Sequence, residues 1–229
     1  MDSKKAYDSL FLLTLFIFVI MQSFSFFIDS DNWWDASVYI GMGKYIYSKG
    51  AVGLWESSRP LVWPLIMGLF WKLGLDFILF GKFMVLLFGT CSVILMYLIV
   101  SKLFNQKVAF YTTLFMCLSP TFFIFNSVLQ TEIPSMFFFL LGLYFFIHKK
   151  RSIAGFIFGL AFMVRFFQIF LIIPIILSYS YLVLKGKEKL KPFLIFLSWF
   201  LMPFVPYLIF NFYLYKNIFY PFILQSFMT

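Results

Sequence analysis

The chain has 229 residues, 63% of them hydrophobic and 24% aromatic, and only 12% charged. A water-soluble domain keeps about a quarter of its residues charged, so this composition excludes one. The apolar runs are continuous rather than alternating with period two, which excludes a membrane barrel and predicts an all-α polytopic transmembrane helical bundle. The net charge of +9 does not point to nucleic acid. Its basic residues lie in short clusters between apolar runs (Lys4-Lys5, Lys102 to Lys107, Lys149-Lys150-Arg151, and Lys185, Lys187, Lys189 and Lys191), as cytoplasmic loops do.

Taking those clusters as cytoplasmic sets the path of the chain. The first span runs from Tyr7 to Phe27. Lys4-Lys5 and Ser23-Phe24-Ser25 resemble the flanks of a signal peptide, but the run is about twenty residues, enough to cross a bilayer, and an uncleaved span is expected. The N-terminus is then cytoplasmic and the next segment, Ile28 to Trp63, external. Within it, Tyr39, Ile40, Gly43, Ile46 and Tyr47 fall near one helical face, which predicts a short helix lying on the membrane surface. "GAVGLWESSRP" reads as a loop, and Pro60 and Pro64 bracket a short interfacial helix through Trp71.

Six more spans are expected, about seven in all. The second covers Phe77 to Val100, with Asp76 as its helix cap. The third runs from Val108 to the "LSP" of Leu118 to Pro120, and "TFFIFNSVLQTE" follows as an external or re-entrant element. The fourth covers Ile133 to Ile147, where His148 is an interfacial residue. The fifth starts near Ile153 and is cut short by Arg165. The sixth continues to Leu184, and the seventh covers Pro192 to Ile209. Cys91 and Cys117 lie within apolar runs without CxxC spacing and read as packing residues.

This path collects Asp29, Asp31, Asp35, Glu56, Arg59, Glu132 and Arg165 on the external side or at its membrane boundary. A charge at the bilayer centre costs several kcal/mol, so Glu132 and Arg165 should face a cavity or each other. No Walker loop, GxSxG, HExxH or Cys/His cluster is present. What remains is carboxylates that can take a proton from a hydroxyl, arginines that can bind a phosphate, and flat aromatic faces. Those parts suit transfer of a sugar from a lipid phosphate to an acceptor hydroxyl. The plainer readings stay open beside this one. Asp35 can be an acid favoured at a helix start, Glu132 can cap the fourth span after Thr131, and Arg59 and Arg165 can reach lipid headgroups. Trp33, Trp34, Trp55 and Trp63 can form an ordinary aromatic belt.

Several stretches, in order, resemble the N-terminal part of GT-C membrane glycosyltransferases, the branch of protein O-mannosyltransferases and the aminoarabinose transferase. They are "WDASVY", "RPLVWPLIMGLF", "SPTFFIFNSVLQTEIPSMFFFLLGLY", "AGFIFGLAFMVRFFQIFLIIP" and "NFYLYKNIFYPF". The resemblance implies Asp35 as catalytic base, Tyr39 as a positioning residue, Arg59 as a contact for lipid phosphate or acceptor, and Glu132 as a second acid. Arg165 would lie near the donor phosphate, and Asp31 is a further substrate-binding candidate. It implies an inverting transfer, mannose-type, from a polyprenyl-phosphate sugar to a protein, lipid or glycan acceptor on the non-cytoplasmic face. No cofactor is required, although Asp29, Asp31 and Glu132 are the residues that could share a Mg or Mn ion. The whole chain, 1–229, reads as one transmembrane domain in the bilayer, the N-terminal portion of a longer GT-C architecture. Members of that family are usually longer, so a second chain supplying further spans is an expected partner. The alternative function is a non-catalytic membrane subunit or transporter half.

Overall fold

The computed structural model describes residues 3–24 and 33–227. Among them are twelve α-helices and no strand. Helix α1 (Ser3–Phe24) is followed by α2 (Trp34–Tyr47), α3 (Val62–Lys72), α4 (Phe77–Leu103), α5 (Gln106–Leu118) and α6 (Pro120–Phe125). Then come α7 (Glu132–Ile147), α8 (Arg151–Val164), a single 3-10 turn (Phe166–Gln168), α9 (Ile169–Leu184), α10 (Leu190–Leu201), α11 (Phe204–Tyr215) and α12 (Tyr220–Phe227).

The helix ends follow the local chemistry. Asp76 caps α4, its carboxylate accepting from the backbone N–H groups of Ile78 and Leu79 at 3.0 and 3.1 Å. Asn105 does the same for α5 through Val108. The Ser-Pro step at 119–120 ends α5 and starts α6: proline has no N–H to give to the preceding turn and suits the first position of a helix.

Among the described residues, four helical stretches are long and apolar enough to cross a membrane: Lys4–Phe24, Phe77–Leu103, Phe166–Leu184 and Leu190–Tyr215. The other expected spans form shorter helices, α5, α7 and α8, of 13, 16 and 14 residues. At 1.5 Å per residue each is shorter than the hydrocarbon thickness of a bilayer, about 30 Å. The ends of α7 and α8 build one wall of the site described below.

Two large cores, with a smaller cluster around Leu95, Ile99 and Leu140, hold the described helices together. The larger joins residues of α1 to α7, with Phe18, Tyr39, Trp63, Val85, Phe88 and Phe122 at its centre. The second joins α7 to α10 around Phe158, Ile172, Tyr179 and Phe196. Helices α8 and α10 touch backbone to backbone: a Cβ on Gly155 or Gly159 would lie 2.2 or 2.4 Å from the carbonyl oxygens of Phe196 and Phe200. Small residues four apart let helices approach this closely where apolar surroundings give no other drive to associate.

Two expectations change. Helix α2 forms where the spacing predicts one, but it has more than one buried face, since Ala36 and Val38 to Gly43 are all buried. The cause is the second backbone crossing, at Gly43 and Gly68, together with the loop after α2, where the Leu54 N–H bonds to the Gly41 carbonyl and closes over the helix. Ile46 and Tyr47, at the C-terminal end, are only partly covered. Trp63 is not an aromatic-belt residue. It is fully buried and donates its indole N–H to the Leu129 carbonyl at 3.3 Å.

At one end of the bundle the basic turns come together. Arg151, at the start of α8, donates to the Phe146 carbonyl at 2.8 Å and to Glu188 at 3.2 Å. It thereby ties the α7–α8 turn to the α9–α10 turn. Asp35, Glu56 and Glu132 gather at the opposite end of α7 and α8.

Candidate active site

Helices α7 and α8 form a hairpin that turns through Lys149, whose φ of 59° reverses the chain. Glu132 precedes that turn and Arg165 follows it by nearly the same number of residues. Equal rise along two antiparallel helices therefore brings the two side chains to one height. Arg165 forms an ion pair with Glu132 Oε1 and donates from Nη1 to the Thr131 hydroxyl at 3.3 Å. One turn further into α7, the Ser135 hydroxyl accepts from Gln168 Nε2 at 2.9 Å, which fixes the chain just after Arg165.

A second ion cluster forms on α2 and the loop before α3. Asp35 and Tyr39 are four residues apart on α2 and so share a face. Arg59 reaches across to both. Its Nη2 donates to Asp35 Oδ1 at 2.6 Å, its Nη1 to the Tyr39 hydroxyl at 3.2 Å, and its Nε to Glu56 Oε1 at 2.9 Å. Its guanidinium also lies 5.3 Å from the Tyr39 ring centroid, within cation–π range. Burial alone would pull the Arg59 pKa down, but the hydrogen bonds to Asp35, Tyr39 and Glu56 outweigh it and raise the value. Arg59 is a permanent cation at any working pH.

The two clusters face one cleft of about 390 Å³, lined by Asp35, Tyr39, Glu56, Ser58, Arg59, Pro60, Thr131, Arg165, Phe166 and Phe167. That is the size range of small-ligand sites. The arginines differ in what they have left to give. Arg59 commits all three of its nitrogens to protein partners. Arg165 bonds through Nη1 only, and its Nη2 and Nε carry no hydrogen bond among the described residues. A guanidinium has five N–H donors in a fork that matches phosphate oxygens, so Arg165 keeps the side of the fork that can take one.

The sequence-derived candidates distribute as follows. Asp35, Tyr39, Arg59 and Arg165 line the cleft. Glu132 stands behind Arg165, with Oε2 buried and without a protein partner. Asp29 and Asp31 lie outside the described residues. Thr131 does not cap α7 with its side chain; its hydroxyl serves Arg165 instead. Arg59 and Arg165 are held by carboxylates rather than extended toward headgroups. Among the described residues, no three His, Cys, Asp or Glu side chains converge. Glu132, the one described member of the suggested metal set, pairs with Arg165 through Oε1.

The sequence reading missed Glu56, Ser58, Thr131, Phe166 and Phe167 as site residues. Glu56 had a signal, an acid three residues before an arginine. The phenylalanines had none, because an aromatic pair beside an apolar span reads as part of the span. A second cavity of about 440 Å³ lies between α1, α5 and α6 and is lined by apolar groups such as Ile17, Phe18, Met21 and Leu114, with no ionisable residue but Cys117.

Residues 58–210 match the family model of dolichyl-phosphate-mannose-protein mannosyltransferases. The match includes Arg59, Glu132 and Arg165, while Asp35 and Tyr39 precede it. Over 136 residues the chain is 32% identical to GPI mannosyltransferase 2 of Schizosaccharomyces pombe, an overlap of 58% of this chain and 28% of that protein. The chain thus covers less than a third of the length of this curated relative. No solved structure matches the chain.

Proposed function

Because the chain belongs to the dolichyl-phosphate-mannose-protein mannosyltransferase family, we propose that its cleft transfers a mannose-type sugar from a polyprenyl phosphate to an acceptor hydroxyl. The observation that carries this reading is the shared cleft itself: a carboxylate, Asp35, and an arginine with spare donors, Arg165, line the same space. Transfer by direct displacement needs a proton acceptor on one side of the sugar and a cation on the other.

The acceptor O–H bond breaks, its proton passes to Asp35, and the oxygen forms a bond to C1 of the sugar. The C1–O bond to phosphate breaks on the opposite face, and the lipid phosphate leaves with that electron pair. The configuration at C1 inverts. Arg165 meets the charge that grows on the departing phosphate, which is where a fixed cation in a water-poor site contributes most. Arg59 does not compete for that phosphate, since its nitrogens are occupied. It holds the Asp35 carboxylate by Oδ1 and leaves Oδ2, which has no hydrogen bond among the described residues, for the acceptor. Tyr39, Phe166 and Phe167 give the sugar ring flat surfaces to rest on. No step requires a metal ion.

Charge supports an external cleft and a cytoplasmic N-terminus in this reading: the basic turns around Lys149 and Lys187 lie at the far end of α7 and α8 from the cleft, and basic loops stay cytoplasmic as a rule.

The test is transfer from a panel of radiolabelled polyprenyl-phosphate sugars by membranes containing the chain, with protein, lipid and glycan acceptors supplied. Label should move from the mannose-type donor. No transfer from any donor, with the chain correctly inserted, would favour the other reading: a non-catalytic subunit or transporter half, completed by a second chain.

A further inference from the structure

The segment that carries Glu56 and Arg59 has no regular structure of its own, yet three hydrogen bonds converge there on Arg59. Something must hold the segment in place. The residue just before Glu56 is Trp55, and its indole N–H donates to the Tyr215 hydroxyl at 2.5 Å, across 160 residues of chain. The same indole packs on Tyr45, 5.7 Å between centroids, and meets Phe210 edge-on at 5.5 Å. Tyr215 is the last residue of α11. Its ring stacks on Tyr220, the first residue of α12, at 4.4 Å and 18°.

The turn between α11 and α12 is tight. Lys216 takes a left-handed φ of 56°, and Asn211 reaches over to the Ile218 carbonyl at 3.3 Å. Helix α12 then returns to the opposite wall of the cleft. Phe222 lies 5.1 Å from Phe166, the residue after Arg165, and Tyr207 of α11 lies 5.8 Å from the same ring. The α11–α12 pair thus touches both walls, one through Trp55 and one through Phe166.

We infer that α11 and α12 form a strap that sets the spacing of the cleft, and that Tyr215 is a positioning residue acting through Trp55 on Arg59 and so on Asp35. The strap from Asn211 onward lies beyond the stretch matched by the family, residues 58–210. Tyr215 does not touch the cleft. It acts by fixing the point from which the Glu56–Arg59 segment hangs. Its consequence for transfer rests on the proposed function; its consequence for the loop does not.

The experiment is amide hydrogen exchange and sugar transfer on the full chain in lipid nanodiscs, wild type against Tyr215→Phe. That substitution keeps the ring stack and removes one hydrogen-bond acceptor. The Leu54 and Arg59 amides, which bond to Gly41 and Glu56, should exchange roughly 3- to 10-fold faster, the range of one lost hydrogen bond, while the amides of α4 and α8 stay unchanged. Transfer should fall several-fold. In an Asp35→Asn background, Tyr215→Phe should lower the residual rate no further, whereas a loss of folded protein would lower it again. Unchanged exchange at Leu54 and Arg59, or faster exchange spread evenly through the helices, would overturn the inference. A wild type that transfers nothing but shows the local exchange response would sink the proposed function and leave the strap standing.

Discussion

Asp35→Asn lowers sugar transfer by roughly 10²- to 10⁴-fold, the usual contribution of a positioned general base. Asparagine has nearly the same shape and can still accept the Arg59 hydrogen bond through Oδ1, so the 2.6 Å contact and the Tyr39–Arg59 packing need not be lost. What the amide cannot do is take a proton from the attacking hydroxyl. The deficit should therefore appear in turnover, with donor KM and membrane insertion close to wild type. The measurement is steady-state transfer with labelled donor at saturating and limiting concentrations. Transfer that survives the substitution would remove Asp35 as the base and move that role to Asp31 or Glu132.

Arg165→Ala costs a different kind of interaction and should give a different signature. Removing one fixed donor of a developing oxyanion typically lowers turnover by roughly 10²- to 10³-fold. The same residue should bind the phosphate of the ground-state donor, so affinity for polyprenyl phosphate alone should weaken too. There is a structural cost as well. Glu132 would lose its one charge partner among the described residues while its Oε2 is already buried, and an uncompensated carboxylate is expensive. Adding Glu132→Gln to Arg165→Ala should recover thermal stability in detergent without recovering transfer. Recovery of transfer together with stability would mean that Arg165 serves the fold rather than the phosphate. Arg165→Lys should fall between wild type and alanine, because a lysine keeps the charge and loses the fork.

The parts of this site legible in sequence were those fixed by spacing. Glu132 and Arg165 stand at nearly equal distances from the Lys149 turn, and two helices of 16 and 14 residues leave little choice but to bring them together. The shortness of α8 was legible from Arg165 itself, which stops an apolar run before it can cross. The contact of Asp35 with Arg59 was not legible from spacing. It depends on a loop from Ser48 to Leu61 whose course is set by Gly53, at a φ of 99° with no room for a side chain against the Gly41 carbonyl, and by Trp55 docking on α11. The charge pattern put both residues on one side of the membrane, and the resemblance to a known family gave them roles in one site.

Periodicity at α2 and the aromatic-belt reading of Trp63 both misjudged burial for one reason. A hydrophobic stripe reports the face a helix shows to one neighbour, whereas α2 lies between α3 and the folded loop and is covered from both. Trp63 follows the same logic, because a tryptophan near a polar boundary looks like a belt residue unless another element closes over it. The resemblance picked out Asn211 to Phe222, but the strap that α11 and α12 make there was not legible, since its aromatic run has the composition of any membrane span. What distinguishes it is where its rings land.

The measurement that bears most directly on the central claim is photocrosslinking with a polyprenyl-phosphate mannose analogue carrying a diazirine on the sugar. It reports occupancy of the cleft without requiring turnover. The account expects crosslinked peptides from both walls, residues 33–60 and 131–168, competed by unlabelled donor and weakened by Arg165→Ala. Crosslinks confined to the apolar cavity between α1, α5 and α6, or to the outer faces of α9 and α10, would contradict it.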